Sequence, residues 1–150
     1  MRKRFEQQYS LGRVAIEDTV IRINSRAGAY KIALALLEIY KTPSYNEEVF
    51  AILESYITKN KNPTGRRGMD LWQIFVLAQY RLGLNLTYDE LDYMVNEDKT
   101  LRSLLGIQGT AFGVPQQEIS YQNLIDNLNL ITDEMMQKLN AVIVSFANGE

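Results

Sequence analysis

Lys59, Lys61, Arg66 and Arg67 fall within ten residues, in the stretch Lys-Asn-Lys-Asn-Pro-Thr-Gly-Arg-Arg-Gly (59–68), directly ahead of an apolar run that begins at Met69. Cations gathered before a helix start suit the holding of phosphate. The first backbone N–H groups of a helix lack intrahelical partners and carry partial positive charge, and flanking Arg or Lys adds to it. Gly65 and Gly68 allow close approach of the backbone to a ligand. The plainer reading is a solvated connection between two helices. A second cationic group, Arg2, Lys3 and Arg4, stands at the N-terminus. A third feature is neutral: Tyr121, Gln122 and Asn123 follow Ser120 at the start of a helical pattern. Gln and Asn can pair bidentately with adenine, and Tyr can reach a phosphate oxygen. The competing reading is an ordinary amphipathic helix, since this one holds no Lys or Arg and turns Asp126 outward.

Other chemistry finds little footing. The chain has no Cys and no His, which excludes thiol nucleophiles, disulfides, thiolate or imidazole metal sites and His-based proton transfer. Asp89, Glu90, Asp92, Glu97, Asp98, Asp133 and Glu134 are numerous enough for a two-metal site, which needs carboxylates converging on ions about 4 Å apart. Their positions at helix ends point to capping and dipole compensation instead. No Ser/His/Asp triad or phosphate-binding Gly-rich Lys loop is present. Catalysis and a cofactor are therefore not expected.

The elements that must position these residues read as helices. A helix over about 29–41 is apolar on nearly every face and ends at Thr42-Pro43. Ser44 and Glu47 have the spacing of a capping box for the next helix, with Val49, Phe50, Leu53 and Ile57 as its stripe. The third, about 69–82, is apolar almost all round, with Gly83 suited to its C-terminal cap. Thr87 and Glu90 form a second capping box. A short helix over about 100–105 stops at Gly106, and a glycine-containing loop covers 106–117. Ser120 and Thr132 cap the last two helices. The expected fold is all-α: one domain of about seven helices over 29–150, behind an extended arm over 1–28 that packs on the body through Val14, Ile16, Val20, Ile21 and Ile23. Residues 87–131 have the layout of an elaborated helix-turn-helix, the later helix presenting its N-terminal residues to the major groove.

Charge is divided unevenly. The net charge is −2, yet residues 1–68 carry 12 Lys and Arg against 7 Asp and Glu, while residues 69–150 carry 4 against 11. Such asymmetry hints at contact with a polyanion through one face; the alternative is a dipolar surface. No run approaches the ~18 apolar residues of a membrane span, and the basic start lacks the apolar stretch of a secretory signal. A cytoplasmic protein without membrane contact is expected.

The run from Gly65-Arg66-Arg67-Gly68-Met69-Asp70-Leu71-Trp72-Gln73 to Leu77, followed by Tyr80-Arg81-Leu82-Gly83 and Thr87-Tyr88-Asp89-Glu90-Leu91, resembles the N-terminal domain of bacterial DDE-type insertion-sequence transposases (ISNCY-like, with the related InsH-like domain). The likeness continues through Leu101-Arg102-Ser103-Leu104-Leu105-Gly106 and Ser120-Tyr121-Gln122-Asn123-Leu124-Ile125-Asp126-Asn127-Leu128, and the basic start is similar. Gly68-Met69-Asp70-Leu71-Trp72-Gln73 is its most specific part. The resemblance implies a helical domain that binds double-stranded DNA at transposon ends, in a bacterial cytoplasm. The family's catalytic Asp, Asp and Glu lie in a following RNase H-like domain that would begin where this sequence stops, so it implies no catalytic position here. Arg67 stands where the family usually has Pro, and the helix after Ser120 lacks the expected basic residue. The DNA contacts to test are therefore Lys59, Lys61, Arg66 and Arg67 with Arg2, Lys3 and Arg4 on phosphate, and Tyr121, Gln122 and Asn123 at the helix that would enter the groove. The alternative is a protein-interaction module, oligomerising or capping a full-length transposase through Val142, Ile143 and Phe146 of the last helix.

Overall fold

The helix Leu71–Leu84 (α3) carries ten consecutive buried residues, from Leu71 to Tyr80, and everything else is arranged around it. The computed structural model describes residues 4–5, 14–21, 29–57, 69–107 and 118–149. Among them the chain is all-helical and forms one compact domain. The other helices are Ala29–Lys41 (α1), Pro43–Ile57 (α2), Tyr88–Glu97 (α4), Lys99–Leu104 (α5), Tyr121–Leu128 (α6) and Asp133–Ala147 (α7), seven in all, with a single 3-10 turn at Ile16–Asp18. A helix apolar on every side can only be satisfied by neighbours on every side, and α3 packs against α1, α2, α4 and α6. Burying each large apolar side chain contributes about 1.5–3 kcal/mol, so this helix holds the domain together.

Two indole and amide bonds fix the end of α5 against α3. Trp72 Nε1–H donates to the Leu104 carbonyl at 2.8 Å, and Gln73 Nε2–H donates to Leu105 at 3.0 Å. The chain then leaves α5 through Gly106 at φ +75°, a left-handed position that glycine adopts without a Cβ penalty. The Gly106 carbonyl accepts from Val14 N–H at 3.0 Å, and Thr19 Oγ1 meets Ser103 Oγ at 2.8 Å. Ile16 is buried beneath this tie. Ile16 and Ile21 of the N-terminal segment thus pack on the body, whereas Val20, expected to do the same, is 86% exposed; residues 16–18 form a helical turn instead of continuing extended.

Two local readings need correction. α2 starts at Pro43, whose fixed φ suits the first helical position. Ser44 consequently lies inside the first turn, and Glu47 bonds Arg4 in place of a capping-box amide. Gly83 does not end α3, which runs on to Leu84 and is closed by Asn85 in left-handed geometry (φ 53°). A Cβ at Gly83 would sit 2.5 Å from Ile32 Cδ1, so this glycine admits α1 close to α3. The boxes at Thr87/Glu90 and the caps at Ser120 and Thr132 form as their spacing predicts. In α7, Val142, Ile143 and Phe146 pack against the core, Phe146 edge-on to Tyr45 at 5.0 Å, and Val144 is the large apolar residue left exposed.

Candidate nucleic-acid interface

Asp70 begins the site. Its Oδ1 accepts from Gln73 N–H at 2.8 Å, and Gln73 Oε1 accepts from Asp70 N–H at 3.3 Å, a reciprocal cap on α3. The amide of Trp72 donates to the Arg4 carbonyl at 2.9 Å, and that of Met69 donates to Asn127 Oδ1 at 3.3 Å. The amides of Met69, Asp70, Trp72 and Gln73 around the start of α3, where phosphate was expected to be cradled, are thus engaged by protein oxygens.

Arg4 is held where it is by its surroundings. Its Nε and Nη2 bond both oxygens of Glu54 at 3.1 and 2.8 Å, and Nη1 bonds Glu47 at 2.8 Å. The guanidinium lies 5.3 Å from the centre of the Phe50 ring. Phe5 follows it into the gap between Tyr40 and Phe50, with ring centres 5.5 and 5.9 Å away. The two hydrogen-bonded carboxylates, Glu54 first, hold Arg4 firmly charged, against a small opposing effect of burial. Its charge is spent on α2, where it fastens Arg4 and Phe5 to the body. Arg2, Lys3, Lys59, Lys61, Arg66 and Arg67 lie outside the described residues.

α6 presents the neutral part of the site. Ser120 Oγ accepts from Asn123 N–H at 3.1 Å and closes its first turn. Tyr121 is 41% exposed, and Gln122 is exposed with its Nε2–H donating to Asp126 at 2.7 Å. Partial desolvation and the neighbouring Asp89 carboxylate push the Tyr121 phenol above its usual range. Asn123 is half-buried, and its Oδ1 and its carbonyl both accept from Asn127 Nδ2, at 2.8 and 2.7 Å. Of the candidate residues, Arg4 and Asn123 thus converge on the first turn of α3, one through its carbonyl and one through Asn127. Tyr121 and Gln122, the first two residues of α6, face Asp89 of α4 and Asp126 instead.

Sequence reasoning passed over four residues here. The Asp70-x-x-Gln73 spacing was readable as a capping box. Asn127 carried only the faint signal of an amide on the stripe of Leu124 and Leu128. Asn96 brackets the approach to α6, donating to the Ile119 carbonyl at 3.1 Å and accepting from its amide at 2.9 Å, and nothing local in sequence marks it.

The described residues carry seven Lys and Arg against sixteen Asp and Glu, while the remainder carry nine against two. α4 and α6 hold no Lys or Arg. Of those nine, Lys59, Lys61, Arg66 and Arg67 precede α3 in sequence, Arg2 and Lys3 stand at the N-terminus, and Arg13, Arg22 and Arg26 fall between them and α1. The acids of the helices serve the helices: Asp98 Oδ1 caps α5 through Leu101 N–H at 2.9 Å, and Asp89, Glu90, Asp133 and Glu134 occupy first turns. Among the described residues no group of three or more His, Cys, Asp or Glu could hold a metal ion, and no helix is long and apolar enough to cross a membrane. No protein-family model, curated protein or solved structure matches the chain. The likeness to transposases rests on the residues quoted for it.

Proposed function

We propose that this chain is a DNA-binding module of the transposase N-terminal type, gripping the sugar–phosphate strand through Lys59, Lys61, Arg66 and Arg67 together with Arg2 and Lys3, and reading bases with Gln122 and Asn123 of the second helix of a helix-turn-helix. Tyr121 lies at the edge of that contact, and no catalysis is assigned to these residues. The observation that carries the reading is convergence at one turn. The basic N-terminal segment is tied to Trp72 through Arg4, the basic stretch 59–68 leads directly into Met69, and Asn127 links Met69 to Asn123. Phosphate contacts fix register and base edges supply sequence information, so a module needs both kinds of residue on one frame. The acidic helices add a constraint: α6 contributes selectivity without charge, and affinity must come from the basic segments.

The test is a mobility-shift titration with duplexes from the terminal repeats of the element that encodes the chain, beside unrelated duplexes of equal length. The reading expects a retarded complex at low salt and tighter binding to the terminal repeats. Equal affinity for both sets would remove the base-reading half of the proposal. Absence of a complex at low salt would remove all of it.

Charge segregation favours one second reading, association with another copy or with a full-length transposase, in which the acidic helical body meets basic segments of the partner. Sedimentation across a concentration series decides it: a monomer throughout, with no affinity for full-length transposase, rules this out.

A further inference from the structure

We infer that the cleft where α1, α2 and α3 meet is a peptide-recognition site for an arginine followed by an aromatic residue, held in this chain by its own Arg4 and Phe5 and open to the same pair carried by a partner chain. Three features line the cleft, and each meets a different part of the pair. Glu54 and Glu47 of α2 take the guanidinium, Glu54 through both oxygens at 3.1 and 2.8 Å and Glu47 at 2.8 Å. The Phe50 ring lies 5.3 Å from the same cation. Tyr40 of α1 and Phe50 of α2 form a slot for the phenyl ring, with centres 5.5 and 5.9 Å away, and Trp72 backs Tyr40 at 5.0 Å. The Trp72 N–H, in the first turn of α3, donates to the Arg4 carbonyl at 2.9 Å. An amide at that position has no partner within its own helix.

Arg4 and Phe5 fill this cleft without building it. The three helices pack on one another directly, and Ile39, Leu53, Trp72 and Phe75 are wholly buried among them. Phe5 is half-buried and the Arg4 side chain is 37% exposed, so the pair sits at the surface of the body. The carboxylate bonds span 43 and 50 residues of sequence, and an identical pair on another chain makes the same contacts, as in exchange of a segment between protomers. The geometry also sets the chemistry of the occupant. A guanidinium has the fork to bond both Glu54 oxygens and the flat face to lie on Phe50, which an ammonium lacks. An aromatic ring meets Tyr40 edge-on at 70°, a contact no aliphatic side chain reproduces. The Arg4 carbonyl, bonded to Trp72 between the two side chains, fixes the order, arginine first. The chain's own pair is a resident competitor at high local concentration, so a partner's pair enters only as Arg4 and Phe5 leave.

The experiment uses the full chain carrying Arg4→Ala and Phe5→Ala, which vacates the cleft, and a labelled peptide Met-Arg-Lys-Arg-Phe with blocked ends as the probe. The same residues in the order Met-Phe-Lys-Arg-Arg control for simple attraction to an acidic body. Thermal unfolding is followed alongside; if the double variant has no cooperative transition, Arg4→Ala alone takes its place. Fluorescence anisotropy should show saturable binding of the probe to the vacated chain, and binding to the wild type about tenfold weaker or more, because its cleft is filled. Adding Glu54→Gln to the vacated chain should weaken the probe about fivefold. Saturating probe should raise the Tm of the vacated chain. A vacated chain that sediments as a complex with wild type, and is released by the probe, identifies a second copy as a source of the pair and also supports the assignment. No saturable binding at millimolar probe, equal binding of the reordered peptide, or equal affinity of wild type and vacated chain overturns it. No DNA is present in these measurements, so their failure leaves the DNA-binding reading untouched.

Discussion

Arg4 separates two accounts of the N-terminal segment, and replacing it with Ala tells them apart. As a phosphate contact, Arg4 would contribute to DNA affinity; as an anchor, it contributes to folding. The Glu54 pair is bidentate, with side chains 37% and 21% exposed, which places it near the top of the range for solvent-accessible pairs, about 1 kcal/mol. The Glu47 pair, with Glu47 63% exposed, adds about 0.3 kcal/mol, and stacking on Phe50 about 0.5 kcal/mol. Arg4→Ala should thus cost about 1.5–2 kcal/mol, a fall of roughly 3–8 °C in Tm for a domain of this size. A double-mutant cycle with Glu54→Gln in urea should return a coupling of about 1 kcal/mol. DNA binding by Arg4→Ala should keep the salt dependence of the wild type, whereas loss of a true phosphate contact lowers the slope by about 0.9. An unchanged Tm, negligible coupling and a reduced slope would together refute the anchor.

Other outcomes follow from single residues. Asp70→Ala removes the cap of the central helix and should cost about 1 kcal/mol in urea denaturation. Gly106→Ala puts a side chain at φ +75°, with its Cβ 3.3 Å from Ile16 Cγ1, and should destabilise by about 1 kcal/mol or more, in contrast to an ordinary helical Gly→Ala change. Bonds from Thr87, backbone first, hold the Glu90 carboxyl below its ordinary range. A depressed folded-state value means that the contribution is present above the unfolded-state value and disappears as pH falls through the folded one. Acid unfolding of Glu90→Gln should lack that component below about pH 4, and a curve identical in shape to the wild type would contradict the assignment. Leu53→Ala, in the wholly buried stripe of α2, should cost about 2–5 kcal/mol by calorimetry.

The helices were legible because their signals are local. Periodic apolar positions and the Thr87, Ser120 and Thr132 caps depend on neighbours within four residues, and all seven helices fall where the pattern puts them. Where sequence misled, a non-local contact outweighed a local preference. Gly83 looks like a helix end but serves the approach of Ile32, some fifty residues away. Ser44 and Glu47 have capping-box spacing, but Pro43 already opens the helix and Glu47 is drawn to Arg4. Arg4 itself read as one more positive charge in a basic arm, since nothing in Arg-Lys-Arg-Phe tells which guanidinium has carboxylates waiting 43 and 50 residues on. The same holds for Asn127 and Asn96, whose partners are backbone groups brought near only by the fold. The candidate site was readable as residue types; which of them bind outward and which hold the others in place was not.

The most direct measurement is the slope of log affinity against log salt for duplex DNA, on the wild type and on a variant with Lys59, Lys61, Arg66 and Arg67 all changed to Gln. The six cations proposed to contact phosphate set a slope of up to about −5 for the wild type, and removing four should bring it to about −2. No binding at low salt, or the same slope for both proteins, would contradict a strand held by charge ahead of the central helix.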